Sequence, residues 1–217
     1  IKVVNTKELP SLVDVIVECA PPEIFSEIAE ATLSKGLIFI PLSVTSLLPR
    51  MNLINLAEKN GGKIIVPSGA IVGLDGVRAA SFGKINSVVM KTNKPPKSLL
   101  KAKFVIENNI PLNDLEKPLL LFKGSVREAS FLFPSNVNIT VALALSGIGP
   151  DKTEYEIWAN PNIERNCHTI KVDSDSTHFE ISIAGIPTDI TPGTGRLTPL
   201  SVMSTLIGLV APFKVGN

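Results

Sequence analysis

Side chains that bind metals or form disulfides are scarce in this sequence. Its 217 residues include two histidines and two cysteines, and of these only Cys167 and His168 are neighbours. A closed zinc site needs four such ligands at short spacings, so we predict no metal site. Cys19 and Cys167 form no C-x-x-C pair, which favours two free thiols in a reducing cytoplasm over one disulfide.

Aromatic residues, excess charge and long apolar runs are scarce as well. Aromatics make up 5% of the chain and the net charge is +1, so neither base stacking nor a basic field favours nucleic-acid binding. The longest apolar stretch, "LIGLVAPF", is far shorter than the roughly 20 residues that span a bilayer. No basic segment followed by an apolar one opens the chain, so we predict a cytoplasmic protein that binds neither nucleic acid nor membrane.

Glycine-rich phosphate-binding loops are also missing. The sequence contains neither the dinucleotide fingerprint G-x-G-x-x-G nor the motif G-x-x-x-x-G-K-[ST]. "GIGPDK" follows a predicted helix, and "GTGRLT" at 193–198 precedes one but has no strand before it. These residues taken alone therefore do not predict a nucleotide site.

The first third of the chain alternates short apolar runs with amphipathic stretches. "VDVIV", "LIFIP" and "KIIVP" predict three strands that are buried on both faces. Between them, the segments that begin at Pro21 and Arg50 predict helices, the second ended by Gly61 and Gly62. This alternation over about 55 residues predicts a parallel α/β layer with right-handed crossovers.

From Ser81 the pattern changes to that of an α+β domain. "KINSVVMKTNKPP" alternates like a strand, whereas "KGSVREASFLF" and "SNVNITVALALSG" predict helices. "EYEIWANP", "NCHTIKVD" and "HFEISIAG" predict three consecutive strands of an antiparallel layer. We therefore predict one domain at residues 1–80, a second at 81–192, and a C-terminal helix within 193–217.

Residue chemistry alone leaves the candidate site residues ambiguous. His168 can exchange a proton near neutral pH, yet a structural role is favoured for it, and His178 is expected to face solvent. Asn136 is expected to cap the helix that follows, whereas Asn138 either caps it or contacts a ligand. The loop "VPSGAIVGLDG" follows a strand end, where α/β sheets bind ligands, although an ordinary turn is favoured there. A solvated face is favoured over an anion site for the lysines at positions 91, 94, 97, 101 and 103.

Five segments occur in a characteristic order. They are "VPSGAIVGLDGVRAA", "KPP", "LFKGSVREASFLFPSNVNITVALALSGIGPDKT", "NCHTIKV" and "TPGTGRLTPLSV". Each is weak by itself, but their joint order and spacing over nearly the whole chain resemble the L-aspartate dehydrogenase family. The resemblance implies an α/β fold with a partial Rossmann-type parallel sheet and an α+β catalytic and dimerisation domain with a mixed or antiparallel sheet. It also implies a C-terminal helix that returns to the first domain, and a homodimer.

The same resemblance implies an enzyme that oxidises a small molecule, L-aspartate, with NAD or NADP. The first product, iminoaspartate, hydrolyses to oxaloacetate and ammonia or enters NAD biosynthesis. His168 matches the catalytic acid/base of the family, and Ala70 and Asn138 match residues that contact the nicotinamide cofactor.

Three further residues are candidates for contacts with the substrate. Ser125 and Arg127, in "KGSVRE", are placed to hold a substrate carboxylate, although helix capping is an equal alternative for Ser125. Thr194 is the third candidate, because it lies in the segment that corresponds to the tail motif of the family.

The chain departs from the family pattern in two places. The family opens with a strand, a G-x-G-x-x-G turn and a helix, so we expect a member that lacks its N-terminal start and binds the cofactor poorly as written. Where the family has Asn-Pro-Lys-Thr-Ser, this chain has "TPGTG" at 191–195. Two alternatives therefore stay open: a dehydrogenase or reductase for another small amino or imino acid, and a non-catalytic oligomerising relative.

Overall fold

The chain divides into two compact units, Ile1–Pro67 and Ser68–Asn217. The structure is a computed structural model that describes residues 2–188 and 194–215. We predicted the first domain boundary at residue 80. The structure divides the chain after Pro67 instead, which places the segment 68–80 in the second unit. The other predicted boundary, at 192, and the tail residues 191–193 lie outside the described residues.

The first unit is a three-stranded parallel sheet with helices in its connections. Its strands pair in the order β1-β2-β3, as the alternating apolar runs predicted. The strands are Val15–Glu18 (β1), Ile38–Pro41 (β2) and Lys63–Ile64 (β3), and the helices are Phe25–Leu33 (α1), Val44–Leu47 (α2) and Asn52–Asn60 (α3). Gly61 ends α3 at a φ of 72°, a left-handed conformation that glycine adopts without steric cost.

A buried carboxylate joins the loops that follow β1 and β2. Glu18, the last residue of β1, is 1% exposed. Its side chain accepts hydrogen bonds from the Ala20 N–H at 2.7 Å, the Ser43 N–H at 3.1 Å and the Ser43 hydroxyl at 3.0 Å. These bonds satisfy a charge that would otherwise be costly to bury, and they fix both loops at the carboxyl ends of the strands.

The second unit is a five-stranded mixed sheet with helices. Its strands pair in the order β5-β6-β4-β7-β8, and β4 with β6 is the parallel pair. The strands are Ile85–Lys94 (β4), Leu119–Ser125 (β5), Glu154–Ala159 (β6), Cys167–Ser174 (β7) and His178–Ala184 (β8). The helices are Leu74–Ala80 (α4), Lys103–Glu107 (α5), Val126–Leu132 (α6), Asn138–Ser146 (α7) and Leu197–Val210 (α8). Among the described residues, no helix is long and apolar enough to cross a membrane.

One face of this sheet forms the core of the second unit. Along β4, Val88, Met90, Thr92 and Lys94 are buried, while the residues between them are partly exposed. The same alternation continues on the neighbouring strands, where the buried residues are Tyr155, Ile157, Ala159, His168, Ile170 and Val172. Because side chains alternate between faces along a strand, all of these project towards the same side of the sheet.

Helix α4 explains why residues 68–80 belong to the second unit. A Cβ on Gly73, which caps α4 at a φ of 85°, would overlap Cδ1 of Ile181 in β8. Gly76, within α4, lies close to the ring of Phe179 in the same strand. The helix therefore packs directly against the edge of the five-stranded sheet. The sequence pattern placed it with the segment before it, because no local signal marks a contact with a strand 100 residues further on.

Candidate active site

His168 is buried near the start of β7 and bonded to a threonine. It lies in β7 directly opposite Thr92 of β4, and the Oγ1 of Thr92 is 3.0 Å from its Nδ1. The exposed fractions are 5% for His168 and 1% for Thr92. The hydrogen bond orients the imidazole ring and assigns one of its nitrogens to the protein, so Nε2 is the nitrogen left for other partners.

The surroundings of His168 keep its ring neutral at physiological pH. Burial lowers its pKa from 6.5 to about 4, and the positive charge of Lys94 acts in the same direction. A neutral imidazole can accept a proton, which an imidazolium cannot. By contrast, the other histidine, His178, has a side chain that is 71% exposed, as we predicted.

Lys94 lies two residues beyond Thr92 on the same face of β4. It is 6% exposed, and its Nζ donates a hydrogen bond to Oδ1 of Asn136 at 2.9 Å. Burial lowers its pKa from 10.5 to about 8. Our prediction of a solvated lysine face is therefore wrong for Lys94. The signal that could have identified it is its spacing, because it continues the buried alternation of Val88, Met90 and Thr92.

The two asparagines before α7 have different roles. We predicted Asn136 as the helix cap, but Val137 occupies the cap position and α7 begins at Asn138. Asn136 accepts the hydrogen bond of Lys94 instead, so that prediction is wrong. Asn138 lies in the first turn, as predicted, where the backbone N–H groups have no partner within the helix.

Two further hydroxyl groups lie in the same buried region. Tyr155 of β6 is fully buried, and burial raises its pKa to about 12, an effect opposed by the nearby hydroxyls of Thr92 and Thr140. Even so, within the described part of the chain, neither the Tyr155 hydroxyl nor the Thr140 Oγ1 has a hydrogen-bond partner. The sequence analysis did not identify them, since one tyrosine in a strand and one threonine in a helix are ordinary core residues.

The loop around Ala70 meets the start of α7 and the segment before α8. A Cβ on Gly69, which has a φ of 63°, would lie 3.5 Å from Cγ2 of Ile139, the residue after Asn138. A Cβ on Gly195, next to Thr194, would lie 3.6 Å from Cβ of Ala70. The fold therefore brings together the segments that carry Ala70, Asn138 and Thr194. The Gly69 N–H fixes this loop by donating to Oγ of Ser201 in α8 at 3.0 Å.

Ser125 and Arg127 lie apart from Thr92 and His168. Ser125 caps α6, accepting from the Glu128 N–H while Glu128 accepts from the Ser125 N–H, which is the capping alternative left open by the sequence. It pairs with Glu154, at the level of Val89 on β4 and three residues away from Thr92. Arg127 is half-buried and forms an ion pair with Asp151, with Nη2 2.9 Å from Oδ2. Their binding to substrate stays a prediction that no observed contact supports.

The residues that the structure describes contain no candidate metal site. Among residues 2–188 and 194–215, no group of three or more histidine, cysteine, aspartate or glutamate side chains is arranged to hold an ion. Thr92, Lys94 and His168 are buried and, together with half-buried Asn136, form a polar cluster in the second unit.

Comparison with known protein families assigns both units. Residues 75–209 match the family model described as aspartate dehydrogenase, C-terminal, and residues 2–67 match that described as homoserine dehydrogenase, NAD binding domain. The L-aspartate dehydrogenase of Bradyrhizobium diazoefficiens is 45% identical over 216 residues, which are 100% of this chain and 77% of that protein. The chain belongs to the aspartate dehydrogenase family. L-aspartate dehydrogenase 3 of Bordetella bronchiseptica is also 45% identical, over 97% of this chain and 77% of its own length.

Solved structures agree with this assignment to the aspartate dehydrogenase family. The crystal structure of aspartate dehydrogenase from Thermotoga maritima superposes with a TM-score of 0.79 at 30% identity, covering 95% of this chain and 80% of that one. A hyperthermophilic archaeal homoserine dehydrogenase shares the fold, with a TM-score of 0.54 at 14% identity. The family resemblance and the fold class predicted from the sequence are thus confirmed.

Proposed function

We propose that this aspartate dehydrogenase family member oxidises L-aspartate to iminoaspartate with NAD or NADP, and that iminoaspartate then hydrolyses to oxaloacetate and ammonia. The observation that carries the proposal is a neutral, buried His168, oriented by Thr92 and adjacent to a buried lysine. Relatives that are 45% identical and are named L-aspartate dehydrogenases support the choice of substrate.

The residues around Ala70 fit one end of a nicotinamide cofactor. The nicotinamide carboxamide has one acceptor and one donor group, and the Asn138 amide together with the backbone near Ala70 offers the complementary groups. Gly195 lies close to Ala70, since a Cβ at this position would be 3.6 Å from Cβ of Ala70. The sequence contains no G-x-G-x-x-G loop, so we assign no residue to the diphosphate. When bound, the cofactor would accept a hydride from the α-carbon of the substrate.

His168 handles the proton in this mechanism. A protonated amine cannot become an imine, so the substrate nitrogen must first lose a proton. An imidazole that donates from Nδ1 to the hydroxyl of Thr92 has Nε2 free to accept that proton. After that proton has been released to solvent, the same nitrogen can take a proton from the water that attacks the imine carbon. Thr92 acts through His168 by holding the ring and its tautomer in place.

A substrate panel tests the proposed function directly. The purified full-length protein is incubated with NAD or NADP and each of several small amino acids, and formation of reduced cofactor is followed by absorbance at constant enzyme concentration. We expect L-aspartate to give the highest kcat/KM. A higher kcat/KM for another small amino acid would mean that this amino acid, and not L-aspartate, is the substrate. The altered segment 191–195 keeps that outcome open. No turnover with any of them would favour the non-catalytic alternative.

We also propose that the protein is a cytoplasmic homodimer. The face of the five-stranded sheet opposite the core carries half-buried Trp158 together with Lys91, whose Nζ lies 4.3 Å from the centre of the indole ring. Aromatic residues are enriched at protein interfaces, so this face is our candidate for contact with a second copy. Cys19 and Cys167 are both free, which fits a reducing compartment. Sedimentation equilibrium is expected to give twice the chain mass, and a monomer mass would contradict the dimer.

A further inference from the structure

Lys94 is a buried cation whose protein partner is neutral. Its Nζ bonds to the Asn136 amide oxygen, and within the part of the chain that the structure describes no carboxylate forms an ion pair with it. An ammonium group is costly to remove from water unless an anion compensates for the lost hydration. The fold therefore maintains a positive charge in its core without a counter-ion from these residues.

Other polar groups in the same region also lack partners. The Tyr155 hydroxyl and the Thr140 Oγ1 are buried without a hydrogen-bond partner among the described residues. The Tyr155 hydroxyl lies near the hydroxyls of Thr92 and Thr140, and Thr92 is bonded to His168 and is two positions from Lys94. Native proteins leave few buried polar groups unsatisfied, so these hydroxyls add polar hydrogen-bonding capacity to the buried region around Thr92.

We propose that Lys94 binds a carboxylate of the substrate and that this ion pair makes His168 a better proton acceptor. The proposal rests on the proposed function, which it extends by naming the residue that selects an acidic substrate. The positive charge of Lys94 opposes protonation of His168 while the site is empty. A bound carboxylate neutralises that charge, so the proton affinity of His168 rises when the substrate is present.

The polar groups around Lys94 are neutral at physiological pH, so an anion in this region would interact with the charge of Lys94. On β7 the titratable group on the same face is His168, which is neutral at physiological pH. On β6 Lys94 pairs with Ala159, and Tyr155, further along the same face opposite Met90, has a pKa raised to about 12. The loop before α7 contributes the neutral amide of Asn136. Because burial lowers the pKa of Lys94 to about 8, affinity for a carboxylate is expected to fall as the pH rises through that value.

Succinate is the probe, because it has the two carboxylates of aspartate and cannot be oxidised at an amine. Its dissociation constant is measured by calorimetry on the full-length protein at pH 7, with and without NAD. We expect Lys94→Met to weaken binding roughly 100-fold, the loss typical of removing one member of a buried charge pair. The matched control is Lys103→Met, which makes the same change in α5 at a lysine with a 66% exposed side chain and should bind succinate like the wild type.

Histidine NMR supplies a readout that a loss of packing would not give. The chain has two histidines, so His168 and His178 are readily told apart with a His178→Gln variant. We expect succinate to raise the pKa of His168 in the wild type. We expect Lys94→Met to raise that pKa in the absence of succinate and to abolish the further shift when succinate is added. Lys94→Arg, which keeps the charge, should bind succinate better than Lys94→Met and guards against a variant that fails to fold.

The outcomes separate this inference from the proposed function. Succinate binding by Lys94→Met within threefold of the wild type overturns the role of Lys94, even if L-aspartate is oxidised normally. Failure of the wild type to bind succinate, with and without NAD, overturns it too. Conversely, a protein that binds succinate through Lys94 but oxidises no amino acid supports the anion site and contradicts the enzyme.

Discussion

Replacing His168 with glutamine is expected to lower kcat for L-aspartate oxidation about 1000-fold, within the range lost when a general base is removed. Glutamine can still hydrogen-bond to Thr92 but cannot accept a proton from the substrate amine. Because proton acceptance occurs on the way to the transition state, the KM for aspartate should change only a few-fold. Steady-state rates of cofactor reduction at pH 7, with enzyme concentration raised for the variant, provide the measurement.

The second histidine offers a matched control for this experiment. His178 is at the start of β8, its side chain is 71% exposed, and its Nδ1 lies 3.5 Å from Oδ1 of Asp173. His178→Gln makes the same chemical change at a solvent-exposed position and should leave kcat unchanged. If His168→Gln also kept kcat within a few-fold of the wild type, the assignment of His168 as proton acceptor would be wrong.

The role of His168 could be predicted only in part from the sequence. The alternation in "NCHTIKV" places His168 and Cys167 on opposite faces of a strand, and the structure confirms that His168 is the buried one. Residue chemistry favoured a structural histidine, and only the order of motifs pointed to catalysis. What no local pattern could supply is Thr92, which is 76 residues away and becomes a partner through strand register.

The same limit explains why Lys94 was missed. Strand β4 lies between β6 and β7, although these two are consecutive in sequence and were predicted to be neighbours in an antiparallel layer. That insertion puts the buried face of β4 at the centre of the sheet and encloses Lys94. Lys94 precedes two prolines and lies among other lysines, and this pattern alone predicts a side chain exposed to solvent. Only the long-range pairing shows that this lysine is in the core.

The first unit was more accessible to sequence analysis because its signals are local. Its strands are short apolar runs, and its helices lie in the connections between them. The order of these elements can therefore be predicted from the local hydrophobic pattern. In the second unit, the helix predicted from Lys123 begins instead at Val126, because Ser125 caps it after a strand. The segment that carries Thr194 meets Ala70 from more than 100 residues away, which again depends on the tertiary fold.

Burial of neutral His168 is expected to make the second unit lose stability in acid. In the unfolded chain this histidine has a pKa near 6.5, whereas in the fold its pKa is about 4. Between these values the unfolded state binds more protons than the folded state, so the free energy of unfolding decreases as the pH falls. The stabilisation is fully present above pH 6.5 and is lost by about pH 4. Its size is about 3 kcal/mol, at 1.36 kcal/mol for each pKa unit.

Urea unfolding of the wild type and of His168→Gln, at several pH values from 7 to 4, isolates this contribution. Trp158 is the one tryptophan of the chain and lies in β6 of the same sheet, so its fluorescence reports on the second unit. Carboxylates titrate in both proteins and cancel in the difference, whereas position 168 titrates only in the wild type. We expect the wild type to lose about 3 kcal/mol more than the variant over this range. Two parallel curves would show that His168 titrates alike in the folded and unfolded states, and the neutral buried base on which the proposed mechanism depends would then be ruled out.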